Sequence, residues 1–461
     1  LINNLSKIII QKFGGTSVQD AESMRRVIAI VKKHGMKRGM RPLIVLSACA
    51  GVTNGLIRIG ELSLLGKIDE AHKAISDLDQ RHFGILHDLH LSLRAEQEAS
   101  LALRFIWREL RTLVRGIELL DELTPKMKDK LLSAGERAST VIFSHALRED
   151  LVNKGIQVHL FDAREFFLTD SEFTEARPQV SEITKQMKLI GKRLTSGSVG
   201  VTQGFIGATK RSETTTIGRG GSDFSATIMG IALAAKEIQI WTDVAGIYTC
   251  DPRIVPQAYA QSKMSFEDAS TMAFFGAKVL HPETIGPAVE AGIPVRVLSS
   301  KEPNKRGTTI LTKPQSDVVV SGISIKRNVI LAKASANGII PQISTLPVIF
   351  DALEHKEIVP LATSISFDDI LLALDTSDNY SELREQIESV ASVNFFPKRS
   401  LITLVGQGLY HESGISSRLF SALKKINCEM ISYGGASNAI SIVVSEAEVE
   451  LAAKSIHSEF F

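Results

Sequence analysis

Ser212-Glu213-Thr214-Thr215-Thr216-Ile217-Gly218-Arg219-Gly220-Gly221-Ser222-Asp223 runs directly into Phe224-Ser225-Ala226-Thr227-Ile228-Met229-Gly230-Ile231-Ala232, which reads as a helix. Three glycines in four positions allow positive φ and close backbone approach to a ligand. Ser222 or Asp223 is placed to cap the helix, whose free N–H groups then face the loop. The stretch is a ready anion cradle, although a solvated loop before a capped helix fits these residues equally well. The rest of the chain has to decide between the two.

With 461 residues, the chain has room for two or three domains with substantial cores. Its 53 Lys+Arg balance 51 Asp+Glu, so net charge argues for neither nucleic acid nor an anionic membrane, and no such partner is expected. Cys49, Cys250 and Cys428 lie far apart without metal-ligand spacing, which argues against a disulfide framework and suits a reducing cytosol. No apolar run reaches membrane-spanning length, and residues 1–11 lack the layout of a signal peptide. A cytoplasmic protein is expected.

Outward from the glycine loop, the same arrangement recurs. Ile8-Ile9-Ile10 is a buried strand that leads into Lys12-Phe13-Gly14-Gly15-Thr16-Ser17. A helix follows with Met24, Val27, Ile28 and Val31 on one face and Gly35 as its stop. Leu43-Ile44-Val45-Leu46 is a second buried strand, running into Ser47-Ala48-Cys49-Ala50-Gly51-Val52-Thr53-Asn54. Strand, polar glycine loop and helix place ligands at the carboxyl ends of parallel strands. Neither loop has the GxxxxGK[ST] pattern, so a bound phosphate would need another architecture.

Residues 60–150 read as helical throughout. Leu103, Ile106, Leu110, Leu113, Ile117 and Leu120 form a narrow seam for packing on a neighbouring helix. Gly135-Glu136-Arg137 interrupts an apolar run; a charge pair on a helix reads as a solvated face, and by itself Glu136 carries no function. Strands resume at Val158-His159-Leu160-Phe161, Val199-Gly200-Val201-Thr202, Ile238-Gln239-Ile240-Trp241 and Val295-Arg296-Val297-Leu298. Alternating strands and helices predict an α/β domain, three layers deep, with a mostly parallel sheet. Polar loops follow at Thr242-Asp243-Val244-Ala245-Gly246-Ile247-Tyr248-Thr249-Cys250-Asp251-Pro252-Arg253 and at Phe275-Gly276-Ala277-Lys278-Val279-Leu280-His281-Pro282.

A boundary is expected after residue 303, and beyond it the chain repeats itself with a period of 70 residues. Ile349-Phe350-Asp351-Ala352-Leu353 matches Leu419-Phe420-Ser421-Ala422-Leu423, and Ile370-Leu371-Leu372-Ala373-Leu374 matches Ile440-Ser441-Ile442-Val443-Val444. Each copy reads strand, helix, strand, strand, helix, as in a split βαβ unit. The expected division is 1–303, 320–396 and 397–461. Gly406-Gln407-Gly408 and Gly414-Ile415 make a small-ligand loop before the second copy's helix.

Six of these stretches, in order and at fitting intervals, resemble the aspartate kinase family: Lys12 to Ser17, Ser47 to Asn54, Gly135 to Arg137, Gly218 to Asp223, Trp241 to Val244, and Phe275 to Pro282. The tandem tail resembles the paired ACT domains of that family, and the resemblance implies an enzyme of the single-activity type. It implies an amino-acid-kinase (carbamate-kinase-like) domain followed by two ferredoxin-like ACT units. The implied reaction moves the γ-phosphoryl of ATP to the side-chain carboxylate of L-aspartate, the first step of the aspartate-derived amino-acid pathway. A carboxylate with a pKa near 3.9 is ionised at neutral pH and is its own nucleophile, so no general base is required. Positioning and preorganised positive charge are the requirement.

By the same resemblance, Lys12, Asp223 and Lys278 are catalytic: the lysines neutralise phosphate charge, and Asp223 holds them in position. Thr53, Glu136, Arg219, Gly220, Gly221 and Ser222 belong to the aspartate site. The arginine fork there suits the α-carboxylate and the glutamate suits the α-ammonium. Lys12, Gly14, Gly15, Ser17, Thr242, Asp243, Tyr248, Arg253 and Lys278 belong to the nucleotide. Magnesium arrives with ATP, and no residue is assigned to the metal. Lysine or threonine is implied as effector near 406–416, and a homodimer or larger homo-oligomer is implied through the ACT units. A related kinase with another acceptor, or an inactive amino-acid sensor, is the alternative reading.

Overall fold

Every residue of Ile8–Phe13 is buried, Lys12 included, as a strand covered on both faces requires. In the computed structural model, which describes all but residues 1–6, 37–38, 219, 278–281, 314–318, 337–341, 367–368, 376–379, 389–390 and 437, this strand is β1 of a central sheet. The chain divides into two units, Leu1–Gly246 with Glu283–Thr312, and Ile247–Pro282 with Lys313–Phe461.

In chain order the strands as far as the tail are β1, β2 (Arg41–Leu46), β3 (Gln157–Phe161), β4 (Ser198–Gln203), β5 (Ile206–Ala208), β6 (Thr214–Thr216), β7 (Glu237–Thr242), β8 (Lys263–Ser265), β9 (Val295–Ser299) and β10 (Thr308–Leu311). Of these, β8 falls in the second unit. The sheet of the first unit runs β3-β4-β2-β1-β7-β9-β10. Its pairs are parallel except the last, β9 with β10. The mostly parallel sheet expected from alternating strands and helices is the sheet observed. Because β2 and β7 flank β1 on opposite sides, the chain changes direction of travel there, and a crevice opens at the carboxyl ends.

The helical block is four helices, Val52–Leu64, Ile68–Asp88, Leu93–Leu120 and Pro125–Leu151. Ser92 caps the third at Ala95 N, and Thr124 caps the fourth at Met127 N with Pro125 in its first turn. Leu93–Leu120 buries Ala99, Leu103, Ile106, Trp107, Leu110, Val114 and Ile117, whereas Leu120 is 66% exposed and Leu113 only half-buried. The expected narrow seam is therefore wider and drifts off Leu120. A straight helix of 3.6 residues per turn cannot keep a 3.5-residue seam in register over 28 residues. Pro125–Leu151 is buried all round from Leu131 to Leu147, His145 excepted. The charged pair in its middle is not a solvated face.

The tail forms one six-stranded antiparallel sheet from β11 (Gly322–Ala336), β12 (Ala362–Ile365), β13 (Asp369–Asp375), β14 (Ala391–Val405), β15 (Met430–Ala436) and β16 (Ala439–Ser445), ordered β12-β13-β11-β14-β16-β15. The repeat is visible as helices Gln342–His355 and Ile415–Ala422, and as strands β13 and β16. Strand β11 serves both copies. Its residues 323–326 pair with 401–404 of the second, and residues 329–335 pair with β13 of the first, with a register shift between. Cys250, Ile254 and Val255 join Ile323, Leu404 and Leu419 in one core cluster, so Ile247–Pro282 is packed into the tail's unit.

Candidate active site

A lysine in a fully covered strand needs a partner for its charge. Lys12, near the carboxyl end of β1 and 9% exposed, finds it in Asp223, whose Oδ1 is 2.7 Å from Nζ. Asp223 lies in the first turn of the helix Gly221–Ala232. The cap of that helix differs from expectation. Gly220 occupies the N-cap at φ 69° with no capping side chain, because left-handed turns at Gly218 and Gly220 carry Ser222 and Asp223 into the helix itself. Both side chains are thus released from capping, and the helix start keeps its anion-facing N–H groups.

A second convergence centres on Ala48, in the loop after β2. A Cβ on Gly15 would stand 2.6 Å from Ala48 O, and one on Gly135 would stand 2.8 Å from Ala48 Cβ. Only glycine lets the β1 loop and the Pro125–Leu151 helix approach Ala48 from two sides. Ala50 N donates to Gly15 O at 3.1 Å and Ser139 Oγ to Ser47 O at 2.8 Å, which fixes the loop. Ala48 N donates to Glu136 Oε1 at 3.1 Å, while Glu136 Oε2 has no hydrogen-bond partner although the residue is 3% exposed. Burial pushes the Glu136 pKa up to about 7. A buried carboxylate with one free oxygen is a receptor for a cation. Arg137, beside it, turns away to Glu109 at 2.6 Å and serves the helix packing.

The remaining residues sort by unit. Ser17 Oγ donates to Ser300 Oγ at 2.8 Å, Gly14 N to Trp241 O at 3.3 Å and Ser300 N to Thr242 O at 2.8 Å, so the ends of β1, β7 and β9 are tied together beside Asp243. Gly204 N donates to Leu46 O, and Ser222 packs on Gly204. Lys12, Gly14, Gly15, Ser17, Glu136, Gly220, Gly221, Ser222, Asp223, Thr242 and Asp243 thus gather around the carboxyl ends of β1, β2, β4 and β7. Thr53, half-buried, opens the Val52–Leu64 helix that leaves the same loop. Tyr248 and Arg253 lie in the second unit, where Tyr248 bridges to Ala260 and Arg253 is exposed in a two-pronged pair with Asp251. Arg219 and Lys278 lie outside the described residues.

Asp129 escaped the sequence reading. Fully buried two turns before Glu136, it accepts from Thr216 N at 3.0 Å, Thr216 Oγ1 at 2.6 Å and Thr174 N at 2.9 Å, and so holds β6 where it enters the glycine loop. Desolvation raises its pKa against these hydrogen bonds. The signal was its spacing: seven residues put both acids on one helix face. Gln203 was also missed; it bonds Thr140 Oγ1 and Ala163 N. Among the described residues no group of three or more His, Cys, Asp or Glu could hold a metal, and Asp223 is committed to Lys12. The side chains described do not build a resident metal site.

Known proteins resemble the chain over nearly its whole length. The model of the amino acid kinase family matches residues 7–299, and an ACT domain model matches 402–460. Lysine-sensitive aspartokinase 3 of Escherichia coli (strain K12) is 34% identical, covering 99% of this chain and 100% of that one. Among solved structures, E. coli aspartokinase III with aspartate and ADP (R-state) is 32% identical with a TM-score of 0.77, covering 98% of this chain and all of the other. The same enzyme with lysine and aspartate (T-state) is 33% identical with a TM-score of 0.84, covering 99% and 100%.

Proposed function

The chain belongs to the amino acid kinase family, and within it to the aspartokinases; we infer that it transfers the γ-phosphoryl group of ATP to the side-chain carboxylate of L-aspartate, releasing ADP and 4-phospho-L-aspartate. The observation that carries the assignment of the site is the Lys12–Asp223 pair, which joins two motifs 211 residues apart at the mouth of a parallel sheet. A carboxylate oxygen of the substrate attacks phosphorus, the bond to the bridging β–γ oxygen breaks, and that electron pair leaves with ADP. No proton has to move. Two anions must nevertheless be brought together, and Lys12 supplies positive charge already oriented by Asp223.

Glu136 is proposed to receive the α-ammonium on its free Oε2, and Arg219 the α-carboxylate, with Thr53, Gly220, Gly221 and Ser222 lining the pocket. An arriving ammonium favours ionised Glu136, so aspartate should bind more tightly above pH 7 than below it. Gly14, Gly15, Ser17, Thr242 and Asp243 are proposed for the nucleotide, and Tyr248, Arg253 and Lys278 are kept there on motif resemblance. Magnesium is proposed to arrive on the phosphates. Lysine bound to the E. coli enzyme supports lysine, ahead of threonine, as effector here. The ACT domain matched at residues 402–460 supports feedback control and a homo-oligomer through the tail; a cytoplasmic enzyme feeding lysine, threonine or methionine synthesis is proposed with it. The direct test is ADP release with L-aspartate against L-glutamate, repeated with lysine and threonine. Equal rates with both acceptors would overturn the aspartate assignment.

A further inference from the structure

The two substrates are proposed to sit on two different loops of the first unit, so transfer between them depends on how those loops are held against each other. The chain leaving β1 offers a row of acceptors to the chain leaving β2. Ser47 N donates to Phe13 O at 3.2 Å, Ala50 N to Gly15 O at 3.1 Å and Cys49 Sγ to Val18 O at 3.0 Å. Burial pushes the Cys49 thiol up to about 12, so the sulfur keeps the proton that it donates. The direct pairing stops there, because Gln19 O and Ala50 O, which come next, are both acceptors and cannot bond each other. Arg81, from the helix Ile68–Asp88, closes the gap: its Nη1 donates to Ala50 O at 2.8 Å and its Nη2 to Gln19 O at 3.3 Å.

A planar guanidinium presents its Nη donors at a fixed separation, so this one side chain sets the spacing of the two carbonyls. Its Nη1 also lies beside Gly51, where a Cβ would stand 3.9 Å away, and Gly51 is the N-cap of the helix Val52–Leu64 that Thr53 opens. The helix Ile68–Asp88 carries none of the six family motifs, so nothing local marks Arg81. We propose that Arg81 is a positioning residue for phosphoryl transfer, setting the loop of Gly14, Gly15 and Ser17 against the loop that leads to Thr53. This rests on assigning the first loop to the nucleotide and Thr53 to aspartate. Without Arg81 each loop keeps its own binding groups, and what is lost is their relative placement. A misplacement of about 1 Å between reacting groups can cost on the order of 100-fold in rate. The signature is therefore a fall in kcat while both KM values hold.

The test uses the full chain and measures kcat, both KM values, the stoichiometry of ADP binding by calorimetry, and Tm. Arg81→Ala should lower kcat about tenfold or more, leave each KM within about threefold and keep full ADP stoichiometry. Arg81→Met, which keeps the bulk of the side chain without a donor, should match it. Arg81→Lys keeps the charge but loses the fork, and should fall between these variants and the parent. A lower Tm with unchanged kcat overturns the proposal, as does a parental kcat in Arg81→Met, which would leave Arg81 a packing residue. A rise in one KM alone with kcat held overturns it too, and so does a fall in kcat that only follows lost ADP stoichiometry. Ser17→Ala and Thr53→Ala separate the two readings. If the first raises ATP KM alone and the second aspartate KM alone, an unchanged kcat in Arg81→Ala removes only the positioning role. If neither raises the KM of its own substrate, the loop assignments fail, and the role of Arg81 fails with them.

Discussion

The glycine loop at 218–223 and the segment Ile247–Pro282 are both anchored by a buried aspartate, but from different sources. Asp129 reaches the loop's entry strand from a helix of the same unit, through Thr216 and Thr174. Asp268 lies in the segment itself and is held by Asn438 and Ser321 of the tail. The difference teaches that the two anchorages are separate: the loop proposed for the substrate is held from within its own unit, and the segment bearing the motifs proposed for the nucleotide is held by the tail's unit.

The largest expected effect lies where the transferred group must be neutralised. Lys12→Ala should lower kcat on the order of 100-fold, the scale for removing one preorganised stabilising group. Near-parental kcat in the purified variant would make Lys12 only the buried partner of Asp223. A sharper test of the comparison is Asp129→Asn, which leaves one acceptor facing two backbone N–H donors and a hydroxyl. Aspartate KM should rise about tenfold while ATP KM stays within about twofold, on the scale of losing one or two buried hydrogen bonds. A matching rise in ATP KM would show that the two anchorages are not separate.

Glu136 offers a smaller effect with a definite sign. Its folded pKa of about 7 lies above the ordinary 4.5, so the folded state holds the proton more tightly than the unfolded one. Stability from this residue is full below pH 4.5 and falls as pH rises towards about 7. Glu136→Gln should therefore match the parent in Tm near pH 5 and exceed it by several °C near pH 8, while aspartate KM rises. Equal Tm differences at both pH values would mean that Glu136 is not buried as described. The smallest change is Thr249→Val, which removes a hydroxyl 3.0 Å from His457 Nε2. It should cost about 1 kcal/mol of stability and leave aspartate KM unchanged.

Much of this was legible in the residues. Buried strands announce themselves as β-branched runs, and glycine loops at their ends show where backbone and ligand must come close. Gly14, Gly15 and Ser17 and the 218–223 loop could be found that way. What could not be read were residues whose role depends on something distant in the chain. Glu136 looked like surface charge because nothing local shows that its helix is covered on every side. Asp129 and Asn438 are ordinary polar residues until the fold brings Thr216 or Asp268 against them. The placement of Ile247–Pro282 was also hidden, since local pattern gives a segment its shape but not the core it joins.

Strands β11 and β14 each span 15 residues and pass through both halves of the tail sheet, so the repeat in sequence is not a pair of exchangeable parts. A chimera cut between residues 396 and 397 would sever β14 and leave residues 323–326 without the partners they meet at 401–404. Transplanting only the second copy would also bring in a core designed around Cys250, Ile254 and Val255, which the host would have to supply. Exchanging tails between such enzymes therefore calls for grafting loops onto the existing sheet, or for moving the whole of residues 247–282 together with the tail. Recombination in nature faces the same constraint.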